Sequence, residues 1–524
     1  MIRYILEHLL YRTRSLRRQG PTLLLVYLCL ITLVSTQCSR NEDRAYARES
    51  TVIVALPDFS VLLPDDTDAD FLVFLPLATL DENGELEGRL AKSWEHSGDY
   101  REWTYHLRSD IRWHDGNPVT AHDVKFTLDL LSHPDVLEYP HLSATVLDDS
   151  TLTIISSREH YYQADIVYYP KHLLEHLEPK EFWDWQFWRE PMGNGPYRFV
   201  RHLPQTMIEF EANPDYYLGK PKIDRVVLKF VGKAGLTELL SGNVDVIELN
   251  PAQIPQFAAD SRFRVYYKEP NFAGGVAIYW QHNNPLFRDP RVRRALTLSI
   301  NRRELLQVFN LPENLPLFDG PITPRQYHRR QLPEPITFNP ERARSLLDAA
   351  GWHDPGGDGI RERDGQAFRF TAIASTGPSL LNSDKLAVYI QAQLLQVGVH
   401  MAIQTMDGTV VWGRLEAGEF DAALMVVQSG PHWYQRYFGE HSPLGYSNPE
   451  VIKLIDQAIA TADPNETDRI YRELMGIFRV EQPITYLHPF TTSYIVHRRI
   501  QGLSTPFRAD PLQYMADLWL EDEH

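Results

Sequence analysis

One segment of the chain, from Leu90 to Thr127, changes from the hydrophobic period of a strand to that of a helix. Trp103, Tyr105 and Leu107 alternate with polar residues, and this alternation predicts a half-buried β-strand. The Asp-Gly-Asn-Pro sequence at 115–118 predicts a turn, because glycine accepts a positive φ at low cost. The pattern therefore predicts a strand that ends in a turn.

A capped helix is expected directly after this turn. Thr120 and Asp123 stand three residues apart, the spacing at which a reciprocal capping box satisfies N–H groups at a helix start. Val124, Leu128 and Leu131 then follow at helical spacing, so one face of this helix is apolar.

The rest of the chain alternates between strand and helix patterns. A hairpin is predicted from Ala144 to Ser156, with its turn at residues 148–150. Other predicted strands are 51–55, 197–201, 207–212, 223–231, 278–280, 367–374, 399–404 and 419–427. Predicted helices are 292–308, 383–397, 451–460 and 465–480. Helix–strand alternation of this kind indicates an α/β fold.

The amino-acid composition limits the classes of protein to which the chain can belong. The chain has 524 residues, of which 43% are hydrophobic, so it can bury a large core. Its net charge of −17 argues against nucleic acid as a partner. Two cysteines do not make a disulfide framework.

The first residues differ from the remainder. Five arginines precede an apolar run from Leu23 to Val34, and no charged residue occurs from Gln19 to Ser39. This pattern predicts an export signal over residues 1–37, with Cys38 as the lipid attachment site and a polar tether over 38–50. An uncleaved transmembrane anchor is the alternative. In either case the body is exported, periplasmic or at the cell surface, and tethered to the membrane.

The Leu90–Thr127 segment resembles the signature of the family 5 extracellular solute-binding proteins, the dipeptide, oligopeptide and nickel receptors of bacterial ABC importers. The matching residues are Leu90-Ala91, Ser93-Trp94, Trp103, Leu107-Arg108, Trp113 to Gly116, Pro118, Thr120-Ala121 and Asp123-Val124. Further blocks at 193–197, 213–221, 236–246 and 272–306 resemble the same family. The resemblance spans nearly all of residues 51–524.

This resemblance implies an α/β, two-lobed periplasmic-binding-protein-like fold of type II, cluster C, with a hinge and a central ligand cleft. The expected division is lobe I over 51–272 with an extra subdomain at about 95–190, lobe II over 273–485, and a return to lobe I over 486–524. It also implies capture of a peptide or peptide-like solute and delivery to ABC permease and ATPase subunits. No cofactor or metal is implied.

The ligand-binding candidates follow from a departure from the family pattern. In the peptide binders, an aspartate after the strand equivalent to 421–427 meets the ligand's ammonium group, but here no acidic residue occurs from Ala422 until Glu440. Gln428, Ser429, His432 and Trp433 offer neutral hydrogen bonds and an aromatic face instead. Trp280 and Trp412 are further candidates, and each of the three tryptophans is equally compatible with a place in the core.

Other functions remain as alternatives. A sensor of the same fold without transport, or a binder of an oligosaccharide or a nickel chelate, fits the same residues. The sequence His172-Leu-Leu-Glu175-His176 has the form of an inverted zincin motif, which predicts zinc bound by the two histidines. The acidic glycine-rich segment 351–365 has too few ligands for a calcium loop, and a hairpin is favoured. No motif for nucleophilic catalysis or for nucleotide binding is present, so an enzyme is not expected.

Overall fold

The computed structural model describes residues 50–56, 69–80, 86–136, 142–156, 166–249, 251–257, 260–268, 274–323, 326, 332–376, 383–428, 430–503 and 511–521. The described residues from Val52 onward belong to one compact unit. The predicted signal or anchor segment, Cys38 and Ser429 lie outside the described residues. No helix within the described ranges combines the length and the apolarity needed to cross a membrane.

A seven-stranded mixed sheet contains strands from both ends of this unit, in the order β12-β20-β11-β1-β10-β9-β8. β1 runs parallel to β11, and β20 lies antiparallel between β11 and β12. The bounds are β1 (Thr51–Leu56), β8 (Tyr197–Leu203), β9 (Met207–Ala212), β10 (Arg225–Phe230), β11 (Val246–Leu249), β12 (Phe263–Lys268) and β20 (Thr492–His497).

A four-stranded antiparallel sheet lies next to the first in sequence, in the order β4-β5-β7-β6. Its bounds are β4 (Ala91–His96), β5 (Glu102–Leu107), β6 (Leu142–Asp148) and β7 (Thr151–Ser156). Helix α2 (Ala121–Leu131) contains the capping box of Thr120 and Asp123. The predicted strand, capped helix and hairpin are therefore confirmed.

The carboxylate of Asp123 explains why this helix start is so well defined. One oxygen accepts from the backbone N–H of Thr120 at 2.8 Å, and the other accepts from the backbone N–H of Lys171 at 3.0 Å. Asp123 is 5% exposed, so both bonds are shielded from water. The Leu90–Thr127 segment thus acts as scaffold, and its acid joins α2 to α3 (Lys171–Leu174).

A five-stranded sheet has the order β17-β16-β18-β13-β19. Its bounds are β13 (Gly275–Trp280), β16 (Arg369–Ser375), β17 (His400–Met406), β18 (Ala422–Val427) and β19 (Ile484–Pro489). Both faces of β13 and β18 are buried, because helices cover each side of the sheet. Val276, Ile278 and Trp280 face one core, and Ala277 and Tyr279 face the other.

Eight helices described in this part of the chain belong to those two cores. They are α5 (Pro290–Leu298), α6 (Arg302–Val308), α7 (Pro340–Ala349), α8 (Ser383–Leu395), α9 (Gly408–Ala417), α10 (Pro431–Phe438), α11 (Pro449–Ala460) and α12 (Pro464–Glu481). The predicted helix 292–308 is wrong in one respect, because it is two helices. Asn301 caps the second by accepting from the N–H of Glu304 at 3.2 Å.

The remaining elements are short. They are α1 (Asp70–Val73), β2 (Ala78–Leu80), β3 (Leu86–Gly88), α4 (Gly235–Leu240), β14 (Glu362–Arg363), β15 (Gln366–Ala367), β21 (Ile500–Gln501) and β22 (Trp519–Leu520). Short 3₁₀-helices of three to six residues occur at Pro179–Asp184, Gln186–Arg189, Gly232–Ala234, Pro251–Gln256 and Met515–Asp517.

The hydrophobic cores fall into two groups. Side chains of the seven-stranded and four-stranded sheets form one group, here called lobe I. Side chains of the five-stranded sheet and its helices form the other, here called lobe II. Within the described residues no core cluster contains side chains of both lobes. The architecture is thus a two-lobed α/β fold, as expected from the sequence.

Candidate functional site

Two segments connect lobe I to lobe II, and a hydrogen bond joins described residues of the two. The first joins β12 to β13, and the second is the pair Phe490 and Thr491 between β19 and β20. The N–H of Phe490 donates to the carbonyl oxygen of Gly274 at 3.0 Å. At Gly275 an added Cβ would lie 2.4 Å from the carbonyl oxygen of His488, so only glycine fits this approach. The two connections are therefore in direct contact at Gly274 and Phe490.

The connections meet the five-stranded sheet at the carboxyl ends of its parallel strands. β16 is parallel to β17 and β18, whereas β13 is antiparallel to β18 and β19. Consequently β16, β17, β18 and β19 all end at the edge where β13 begins. Thr376, Asp407, Gln428 and Phe490 follow these four ends. In open α/β sheets, ligands bind outside the carboxyl ends of the strands.

The seven-stranded sheet presents the equivalent edge to the same connections. β1 and β11 are parallel, and β20 is antiparallel to both β11 and β12. Hence β1, β11 and β12 end where β20 begins, at Thr492. A solute held at this junction would meet loops from both lobes. The candidate site is accordingly the pair of carboxyl edges on either side of the two connections.

Three of the residues predicted from the sequence lie together at this edge. Gln428 directly follows β18 and is exposed, and His432 and Trp433 lie in the first turn of α10. Gly430 directly precedes helix α10 with a φ of 119°, which is accessible to glycine, and no side chain caps the first turn of the helix. The positive end of the helix dipole is thus directed toward the edge. Ser429 lies outside the described residues.

Trp433 has a partly exposed ring and an unsatisfied donor. Its indole Nε1 is buried and has no hydrogen-bond partner among the described residues. Its ring centroid lies 4.5 Å from that of Tyr437, and the Tyr437 ring in turn lies 6.4 Å from Trp412 on α9. Trp412 is half-buried and therefore joins the same aromatic group rather than standing alone. A buried N–H without a partner is unusual in a folded protein and requires an explanation.

Trp280 is not brought together with these residues. It pairs with Ala422, the first residue of β18, and therefore lies at the opposite edge of the sheet. Its side chain is 0% exposed, and its Nε1 donates to the Thr485 hydroxyl at 3.0 Å. Phe287 and Phe370 pack against its ring. In this structure Trp280 occupies a core position.

Two residues at the junction were not among the candidates predicted from the sequence. His488 is the last residue but one of β19, and desolvation lowers the pKa of its imidazole to about 4, so the ring is neutral at neutral pH. Its Nδ1 lies 2.8 Å from the carbonyl oxygen of Pro489. The buried hydroxyl of Thr492 has no partner among the described residues. The sequence does contain a signal for His488 and Thr492. A short Pro-Phe-Thr-Thr segment at 489–492 separates two apolar runs at this point.

The two metal hypotheses receive no support from the described geometry. His172 Nε2 lies 2.8 Å from an Asp115 carboxylate oxygen, and α3 is a single helical turn that ends before His176. Asp354 accepts from the N–H groups of Gly357 and Gly359, so its oxygens stabilise the loop itself. Among the described residues no group of three potential ligands could hold a metal ion.

Comparisons with known proteins agree on one family. Residues 85–445 match the family model described as bacterial extracellular solute-binding proteins, family 5 Middle. A Brucella abortus protein provisionally named an ABC transporter peptide-binding protein is 27% identical over 435 residues, covering 76% of this chain and 78% of that protein. The oligopeptide-binding protein AppA of Bacillus subtilis is 25% identical over 462 residues, covering 80% and 81%. The nickel-binding periplasmic protein of Escherichia coli is 22% identical over 463 residues, covering 82% and 86%.

Solved structures show the same fold. The ABC transporter substrate-binding protein CtaP of Listeria monocytogenes has a TM-score of 0.76 at 20% identity, over 90% of this chain and 99% of that chain. AppA of Bacillus subtilis in complex with a nonapeptide has a TM-score of 0.65 at 23% identity, with the same coverage of the two chains.

Proposed function

The chain belongs to the bacterial extracellular solute-binding proteins of family 5, and on that premise we propose that it is the substrate-binding component of an ABC importer. Its solute is a peptide or peptide-like molecule, in keeping with the names of the relatives from Brucella abortus and Bacillus subtilis. The protein captures this solute between its lobes and delivers it to the permease and ATPase subunits of the importer.

The observation that carries the proposal is the convergence of strand ends at the connections between the lobes. The carboxyl ends of β16, β17 and β18 and the start of β20 all lie there. Since the two connections are in contact at Gly274 and Phe490, rotation about them would bring the two edges together around a solute. Hinge closure of this kind is a standard way of enclosing a ligand between domains.

The proposed contacts are Gln428, Ser429, His432, Trp433 and, through the same aromatic group, Trp412. Gln428 and His432 are exposed polar side chains that can bond the C=O and N–H groups of a peptide. The unpartnered Nε1 of Trp433 supplies a further donor. Trp280 is left out of the proposed site because it is fully buried at the other edge.

A thermal-shift screen of the purified full-length protein tests the substrate class. Defined di- to nonapeptides, neutral oligosaccharides and a nickel–histidine chelate are compared at equal concentrations. We expect peptides to raise the unfolding temperature, because a ligand at a hundred times its Kd stabilises the bound form by about 2.7 kcal/mol. Stabilisation by the oligosaccharides or the chelate alone would contradict the peptide assignment.

The Trp433→Phe variant tests the proposed contact. It keeps an aromatic ring but removes the indole N–H. We therefore expect the affinity for a stabilising peptide to fall about fivefold, because one hydrogen bond between protein and peptide is lost. Trp352→Phe is the matched control, because Trp352 also has an unpartnered Nε1 but lies in a different core. Equal affinities of the two variants would remove Trp433 from the site.

Residues 1–37 and Cys38 form the second part of the proposal. The family is extracellular, and the basic, apolar and cysteine-containing order of this segment supports export followed by tethering, either through a lipid on Cys38 or through an uncleaved anchor. Detergent partitioning of wild type and Cys38→Ser distinguishes the two. Release of the variant into the aqueous phase indicates a lipid, and retention indicates an anchor.

A further inference from the structure

A hydrogen bond joins the lobes at a place away from the two connections. Arg101 lies just after the turn between β4 and β5, and its guanidinium donates to the carbonyl oxygen of Ala460 at 2.8 Å. Arg101 belongs to the four-stranded sheet of lobe I, whose Trp103 and Tyr105 are part of the lobe I core. Ala460 is the last residue of α11, which packs in lobe II. The contact therefore spans the two lobes.

The position of Ala460 shows on which side the contact lies. Helix α11 begins at Asn448, whose amide donates to Glu481 at 2.7 Å. Glu481 ends α12 and stands three residues before β19 begins, so this end of α11 lies at the amino edge of the five-stranded sheet. Twelve residues of α-helix span about 18 Å. The end of α10 lies beside the start of α11, because the Phe438 and Tyr446 rings are 5.9 Å apart, and Gln435 donates to Asp456 at 3.5 Å further along the two helices. The two helices are therefore antiparallel, and because α10 starts at the carboxyl edge, the end of α11 at Ala460 points toward that edge, where the candidate site lies.

The turn that carries Arg101 is stiffened by its own contacts. The Ser97 hydroxyl donates to Asp99 at 2.5 Å, and the N–H of Arg101 donates to the same carboxylate at 3.2 Å. The rings of His96 and Tyr100 are stacked at 4.0 Å, and Trp103 donates to the Tyr100 carbonyl oxygen at 2.8 Å. Because these contacts already fix the conformation of the turn, it loses little conformational entropy when it contacts the other lobe.

The carbonyl oxygen of Ala460 is a favourable acceptor for a guanidinium group. The last carbonyl groups of a helix have no intrahelical donor, and the negative end of the helix dipole lies there. A cation at this point is stabilised by the negative end of the helix dipole. Arg101 is exposed in its own lobe, so the bond adds to the contact between lobes and contributes little to the folding of lobe I.

We propose that Arg101 is a positioning residue that holds the closed form of the receptor by binding the end of α11 across the opening of the cleft. This inference rests on the proposed function, and it assigns to Arg101 control of how tightly the solute is retained. A ligand that binds the closed form has an apparent Kd inversely proportional to the closed fraction. Loss of Arg101 lowers that fraction and leaves every proposed ligand contact in place.

The test compares full-length wild type, Arg101→Ala and Arg112→Ala. Arg112 is the matched control, because it is an exposed arginine of the same lobe whose guanidinium also donates to a backbone carbonyl, that of Gly116 at 3.2 Å. Amide hydrogen exchange without any added peptide is read at 455–463 in lobe II and at 428–433 on the cleft edge. We expect faster exchange at both segments in Arg101→Ala and no change in Arg112→Ala.

A second readout is the affinity for a defined nonapeptide. Arg101→Ala is expected to bind the nonapeptide about two- to fivefold more weakly, because that factor corresponds to the stabilisation that a cation gives at a helix C-terminus. The affinity of Arg101→Lys is expected to be intermediate. Unchanged exchange at 455–463 and 428–433 in Arg101→Ala, or equal changes in Arg112→Ala, would overturn the proposal. Failure of wild type to bind any peptide would contradict the proposed substrate while the exchange result still decides the role of Arg101.

Discussion

At the residue scale, His282 shows how burial controls charge in lobe II. It is 8% exposed, and its Nε2 lies 3.0 Å from the carbonyl oxygen of Pro483, so that nitrogen carries the proton. Desolvation, reinforced by the positive charge of Arg293, lowers the pKa of His282 to about 3. The ring is therefore neutral in the folded protein at any pH above that value, whereas in the unfolded chain it is protonated below about 6.5.

This difference predicts a pH dependence of stability. Between about pH 6 and pH 4 the unfolded chain binds one proton more at His282 than the folded protein, so the free energy of unfolding falls as the pH falls. We expect the wild type to lose about 1.4 kcal/mol per pH unit more than His282→Gln, whose amide keeps a donor for Pro483. Urea unfolding of both proteins at several pH values measures the two slopes. Parallel slopes would show that His282 is not the group responsible.

The roles of the tryptophans could not be separated from the sequence alone. Trp280 stands in a strand whose two faces are both buried, so the alternation of residues carries no information about exposure. Trp433 stands in the segment that follows the predicted strand 419–427, where an exposed or a buried ring is equally compatible with the pattern. Only the pairing of β13 with β18 places the two at opposite edges of the sheet.

At the element scale, the local signals were the most reliable. The capping box, the hairpin turn and the helices 451–460 and 465–480 are encoded within a few neighbouring residues, and the structure contains each of them. The break in the predicted helix 292–308 depends on Asn301, a residue that competes for backbone N–H groups. The pairing of strands that are distant in sequence, such as β1 with β11, has no comparable local signal.

The connection between the lobes gives a prediction at this scale. Gly275→Ala places a methyl group against the His488 carbonyl oxygen, and we expect it to lower the free energy of unfolding by about 1–3 kcal/mol. Gly413→Ala is the control, because a Cβ at this exposed position of α9 meets nothing within 4 Å. There the change should stabilise the helix by up to about 1 kcal/mol. Equal effects of the two substitutions in urea unfolding would show that the close approach at Gly275 is unimportant.

At the scale of the whole molecule, the arrangement of sheets explains how one fold can trap a solute. The described residues form two groups of cores without shared side chains, and two segments connect them, an arrangement typical of proteins that close about a hinge. The carboxyl edges of both sheets face the connections, so closure brings several loops onto the same solute. We propose that specificity depends on the few side chains that the loops present, among them Gln428, His432 and Trp433.

The most direct test of this account is amide hydrogen exchange of the full-length protein with and without a nonapeptide that raises its unfolding temperature. We expect slower exchange in the peptide complex at 428–433, after β18, and at 490–493, where the second connection enters β20. Exchange at 280–284, beyond the opposite end of β13, should not change. Protection confined to 280–284, or absent from both carboxyl edges, would contradict the placement of the solute between the lobes.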